Sequence, residues 1–154
     1  MKRASVLAIL IAMGVCSAHA DEPMTLEAVA AAAKEGVEFV NNDYIKQRLS
    51  VNAELLLIDV RTRLEYDQAH IPGSTWIPRG KAEFEIAKTV RDADREIILY
   101  CRTGSRAALV KKALDGQGYR NVSVHAGFEE WAKAGLSVVN ELGTFKMELE
   151  DTIR

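Results

Sequence analysis

Residues 100–106 read Tyr-Cys-Arg-Thr-Gly-Ser-Arg. A cysteine beside Arg102 and five positions before Arg106 has the makings of an activated nucleophile. The thiolate is the attacking form of cysteine, and it is favoured beside cations and at helix N-termini. Gly104 lets the loop curl so that successive N–H groups face inward. Such a turn, running into a helix N-terminus, attracts negative charge. The predicted chemistry is nucleophilic attack by Cys101 on an anion, with Arg102, Thr103, Gly104, Ser105 and Arg106 holding the substrate. Against it stands the ordinary fate of a lone cysteine, which is to be buried and inert.

The flanking sequence says how this loop is held. Ile97-Ile98-Leu99 precedes it and Ala107-Ala108-Leu109-Val110 follows. A strand therefore ends at Cys101, turns, and enters a helix. Loops at the carboxyl ends of parallel strands are where open α/β sheets place their sites. Leu55–Val60 is a near-continuous apolar run, as in a strand buried on both faces. Val37–Val40, Thr75–Ile77, Glu96–Tyr100 and Asn121–His125 read as further strands. Helices are predicted over Leu26–Lys34, capped by Thr25, then over Tyr44–Leu49, Arg63–Gln68, Lys81–Lys88, Ser105–Leu114 and a short stretch after Gly127. Leu26, Val29, Ala30 and Ala33 share one helix face, and Phe84 is offered to the core beside Ile86 and Ala87. Alternating strands and helices imply an α/β fold, with about five mostly parallel strands and helices on both faces. Residues 140–154 read as an amphipathic tail, with Leu142, Phe145, Met147 and Leu149 packing back.

Composition narrows the function. The chain has 154 residues, 48% hydrophobic and 27% charged, with a formal net charge of −2. Nothing here suggests a basic nucleic-acid-binding surface. Lys2 and Arg3 precede the apolar run Val6–Val15, and Ala18 and Ala20 are small residues at the −3 and −1 positions of a cleavage site. Residues 1–20 therefore read as a secretory signal, which would place the mature protein in the periplasm of a Gram-negative source. Cleavage removes Cys16 and leaves Cys101 as the remaining thiol, unable to form an intramolecular disulfide. His70 and His125 lack ligand-like spacing, so no metal is expected.

Other residues at strand ends are weaker candidates. Asp59 and Arg61 could line a pocket beside the cysteine loop, although an ion pair or hydrogen-bond role suits them better. Arg79 could help to bind an anion. Phe128 and Trp131 read mainly as core or pocket wall. Glu65, His70 and His125 read as structural, with His70 locking the turn it begins.

Four motifs stand in a telling order: Leu57-Ile58-Asp59-Val60-Arg61, His70-Ile71-Pro72-Gly73-Ser74, Tyr100–Arg106, and Ala126-Gly127-Phe128-Glu129-Glu130-Trp131. Together they resemble the rhodanese family in its single-domain form, over about Leu26–Val139. The division implied is a signal at 1–20, a rhodanese-like domain at 25–139 and a tail at 140–154. Ala69 stands where glycine is common, Ser74 where alanine is frequent, and Phe128 where a Trp is common. The resemblance implies sulfur transfer without a cofactor. A small anionic donor such as thiosulfate would give its outer sulfur to Cys101, and cyanide, a thiol or a protein acceptor would take it. A cysteine phosphatase or arsenate reductase uses a similar cradle but needs five residues between Cys and Arg, and here four intervene. A persulfide carrier or redox-sensing module is the other alternative, because reactive thiols serve both ends.

Overall fold

The computed structural model describes residues 22–148. The proposed signal, Cys16 and Leu149 lie outside the described residues. The chain runs α1 (Leu26–Lys34), β1 (Phe39–Val40), α2 (Asn42–Val51), β2 (Leu56–Asp59), α3 (Arg63–Gln68) and β3 (Thr75–Trp76). A 3-10 turn at Arg79–Lys81 leads into α4 (Ala82–Thr89), then β4 (Ile97–Tyr100), α5 (Ser105–Gly116), β5 (Val122–His125) and α6 (Phe128–Lys133). A final pair, β6 (Ser137–Asn140) and β7 (Gly143–Lys146), completes the described chain.

Five strands form one parallel sheet in the order β1-β5-β4-β2-β3. The cysteine strand β4 is central, as its buried sequence requires. Residues alternate across a strand, and β4 shows what that does. Ile97, Leu99 and Cys101 lie in one core cluster with Ala82 and Ile86 of α4 and Ala107, Val110 and Leu114 of α5. Ile98 and Tyr100 lie in the other, with Ile45 of α2 and Phe128, Trp131 and Ala132 of α6. Helices therefore cover both faces. The same parity that buries Leu99 turns Cys101 towards α5.

Local signals set the helix starts. Thr25 and Asn41 accept the N–H groups of Ala28 and Tyr44. Thr62 and Glu65 form a reciprocal capping box at α3. The turn after α3 is tied to the sheet by Tyr100, whose buried hydroxyl accepts from the Ile71 N–H at 3.1 Å and bonds Ser74 Oγ at 2.9 Å. Burial, with Asp59 nearby, pushes this phenol well above its ordinary range, so it stays neutral. Ala69 closes α3 in extended backbone, at φ −169°, a conformation open to any residue.

Three expectations need correction. Phe84 is 75% exposed; it lies on the outer side of α4, while Ile86 and Ala82 face the sheet. Leu26 and Val29 are also exposed, and of the α1 face only Ala33 is buried. Within the expected amphipathic tail, Gly143–Lys146 instead forms β7, an antiparallel hairpin with β6 closed by Asn140 and Gly143. Leu142 at its tip is exposed. Val138 and Met147 do pack against the α2–α6 cluster. The hairpin is joined to the turn after α3 through paired backbone bonds between His70 and Val139.

Candidate active site

Cys101 is the first residue beyond β4, and its side chain is 1% exposed. Two glycines shape the loop that follows. Gly104 sits at φ +88°, and a Cβ there would come 2.7 Å from Phe39. Gly127, at φ +125°, presses against the loop from α6, where a Cβ would lie 2.3 Å from the Arg102 carbonyl oxygen. That closeness has a purpose. The Phe128 N–H donates to the Cys101 carbonyl at 2.7 Å, and the Glu129 N–H to that of Arg102 at 3.1 Å. In a trans peptide the N–H points opposite to the C=O. The N–H groups of Arg102 and Thr103 are thus turned away from α6. Among the described residues, no protein acceptor bonds the N–H groups of residues 102–106. Ser105 Oγ is likewise buried without a partner. The loop is a set of unspent donors at the N-terminus of α5, an arrangement that stabilises an anion.

The arginines are not free in the way their sequence suggests. Glu65 grips Arg106 with two hydrogen bonds of 2.8 and 3.0 Å. This pair holds the Glu65 carboxyl down at about 2. The Arg106 charge is favoured first by Glu65, opposed by burial, and favoured again by the nearby Cys101 sulfur. Glu129 takes Arg102 through a 2.5 Å contact to Nε. The Glu65 and Glu129 contacts escaped the sequence reading because the partners lie 41 and 27 positions apart.

Asp59 and Arg61 form a buried pair. Arg61 Nη2 reaches Asp59 Oδ2 at 2.6 Å and the Ala69 carbonyl at 2.7 Å. Its guanidinium lies over the Phe128 ring at 4.1 Å. Arg61 is thereby spent on joining β2, the turn after α3 and the start of α6. A pocket of about 270 Å³ opens beside it, lined by Arg61, Glu65, Arg102, Phe128, Glu129 and Met147 among others. Asp59 lies beneath its wall, and Cys101 lies under the loop and is not part of that lining. Arg79 is exposed at the start of the 3-10 turn and is not part of it either. Among the described residues no group of side chains could hold a metal.

The two histidines are structural. His70 donates from Nδ1 to the Tyr66 carbonyl at 2.9 Å and stacks on the Tyr66 ring. His125 does more for the site. Its Nδ1 accepts the Gly127 N–H at 3.1 Å, so Nε2 carries the proton and donates to Asn42 Oδ1 at 2.8 Å. His125 therefore fixes the glycine that supports the loop. Burial holds its imidazole down to about 4. The unfolded chain takes up this proton near 6.5. Stability is therefore full above about pH 6.5 and falls as the pH drops towards about 4, by about 1.4 kcal/mol per unit of separation. Urea midpoints between pH 7 and 4 should show this slope, and His125→Gln should flatten it. An unchanged slope in the variant would assign the loss to other groups.

Residues 41–134 match the model of the rhodanese-like domain. A sulfurtransferase of Allochromatium vinosum is 31% identical over 104 residues, covering 67% of this chain and 95% of that one. Thiosulfate sulfurtransferase PspE of Escherichia coli is 32% identical over 75 residues, covering 49% of this chain and 72% of PspE. Among solved structures, a Rhodopseudomonas palustris protein of unknown function, described as a possible tyrosine phosphatase, superposes with a TM-score of 0.61. It is 26% identical and covers 77% of this chain and 100% of its own. The family model spans more than half the chain, from α2 to α6, and takes in all four sequence motifs: this protein belongs to the rhodanese family.

Proposed function

We propose that the chain is a sulfurtransferase that carries sulfane sulfur as a persulfide on Cys101. Membership of the rhodanese family, and relatives named sulfurtransferase, support the reaction class. The observation that carries the mechanism is the loop of unpaired N–H groups at the N-terminus of α5, following directly on the cysteine.

The chemistry balances without a redox partner. The Cys101 thiolate attacks the outer sulfur of a donor such as thiosulfate. A bond forms between Sγ and that sulfur, the donor's S–S bond breaks, and the electron pair leaves with sulfite. Cyanide or a thiolate then attacks the terminal sulfur and returns Cys101 as thiolate. The loop N–H groups and the Ser105 hydroxyl donate to the charge that moves onto the added sulfur. Because Cys101 is 1% exposed, attack requires the loop to yield, and slender donors are favoured over bulky ones. No metal or organic cofactor takes part in these steps. Residues 1–20 are proposed as a secretory signal, with the mature enzyme periplasmic.

The phosphatase reading is the competitor. A loop with four residues between Cys101 and Arg106 offers less room than a tetrahedral phosphate needs, and more suitably surrounds one sulfur. The separating experiment supplies thiosulfate with cyanide, and p-nitrophenyl phosphate in parallel. Thiocyanate and sulfite should appear in equal amounts while the ester persists. Ester hydrolysis without thiocyanate would overturn the assignment.

A further inference from the structure

The charges around the pocket are paired one for one. Arg61 faces Asp59, Arg106 faces Glu65, and Arg102 faces Glu129. Each of these three arginines, which could have attracted a dianion to the pocket, carries its own carboxylate. The three pairs differ in how firmly they hold. Arg61–Asp59 is buried, with side chains 4% and 0% exposed. Glu65 is bound in the capping box of α3 as well as to Arg106. Glu129 is the least held member of the set: among the described residues its carboxylate bonds Arg102 alone. It stands in the first turn of α6, its side chain is 31% exposed, and its partner Arg102 is 64% exposed. Both line the pocket. An exposed pair of this kind contributes little to stability, so its presence there calls for another account. The Glu129 backbone is needed to hold the Arg102 carbonyl, but any residue would supply that N–H. The carboxylate adds only charge.

We propose that Glu129 is a specificity-determining residue: by occupying Arg102 at the pocket wall, it selects sulfur donors of low negative charge over dianions. This inference rests on the sulfurtransferase reading above and concerns the donor class of the same site. The favoured class is a persulfide or thiosulfonate with a single charge near the transferred sulfur. Thiosulfate, with two, meets the Glu129 carboxylate on approach and finds Arg102 already engaged.

Two small donors isolate the effect. Thiosulfate is a dianion; methanethiosulfonate is a monoanion that delivers its outer sulfur by the same bond exchange, releasing methanesulfinate. Steady-state rates with cyanide should be measured for wild type, Glu129→Gln and Glu129→Asp at low and high salt. Glu129→Gln should raise kcat/KM for thiosulfate about fivefold at low ionic strength, through KM, and by a clearly smaller factor for methanethiosulfonate. Glu129→Asp, which keeps the charge, should retain the wild-type ratio between donors. The gain should shrink at high salt, because exposed charges are screened over about a Debye length. An equal change for both donors, or no change, would overturn the proposal while leaving sulfur transfer intact. Failure of the wild type to transfer sulfur from either donor would instead bring down both readings.

Discussion

Replacing Cys101 with Ser is expected to cut thiocyanate formation from thiosulfate by roughly 10³-fold or more, the scale seen when a covalent nucleophile is removed. A serine hydroxyl is protonated at neutral pH and has no neighbouring base here to take its proton. Among the described residues Cys101 is the free cysteine, and none of them carries a second thiol to substitute for it. The change is close to isosteric. The variant should keep its fold, at a cost of about 1 kcal/mol for placing a hydroxyl among Ile58, Val60 and Ala107. Its unfolding transition, measured beside its activity, separates lost chemistry from lost structure. A folded Cys101→Ser protein that still turned over would place the nucleophile elsewhere.

The second large effect concerns the support beneath the site. Arg61→Met should lower the unfolding free energy by about 3–5 kcal/mol, because it leaves the Asp59 carboxylate buried without its partner. The substitution also abandons the Ala69 carbonyl and the stack on Phe128. The double variant Asp59→Leu with Arg61→Met should recover much of the loss, since apolar groups of similar volume often replace a buried pair at little cost. Urea denaturation of the three proteins reads this out. A single-variant loss under about 1 kcal/mol would show that the pair does not hold the strand ends together.

These two predictions mark what the sequence could and could not tell. Cys101 was legible because strand, turn and helix signals are local, and because the parity of Ile97, Leu99 and Cys101 is fixed once β4 is placed. The bounds of α1 and α3 were legible to the residue, α1 because Thr25 sits immediately before its first turn; the Thr62–Glu65 box that starts α3 emerged only in the fold. Asp59 and Arg61 read first as strand-end polar residues with two fates, and only the fold shows Arg61 turning back onto Asp59 and Ala69. Glu65 and Glu129 were harder still. Their grip on Arg106 and Arg102 depends on where α3 and α6 end up beside the loop, which no periodicity reveals. Phe84 was misjudged because its helix buries a single narrow face. The hairpin after Leu136 was missed for a different reason. Its β7 strand is exposed throughout, so it lacks the apolar alternation by which a half-buried strand is recognised.

The pairing of each arginine also revises where the site's positive character resides. The sequence suggested guanidinium charge, whereas the structure leaves the backbone donors of residues 102–106 and the Ser105 hydroxyl as the groups without partners. Backbone donors favour a singly charged sulfur close by; they do not reach far into solvent to gather dianions. His125 and Gly127 matter to function for the same reason, since they hold the loop carbonyls outward.

The most direct test is the mass of the protein after a single exposure to a sulfane donor and removal of the excess. The account predicts a gain of one sulfur atom located on the peptide that contains Cys101, lost on adding cyanide with release of one equivalent of thiocyanate. An unmodified Cys101 in protein that nonetheless produces thiocyanate, or a sulfur found on another residue, would contradict it.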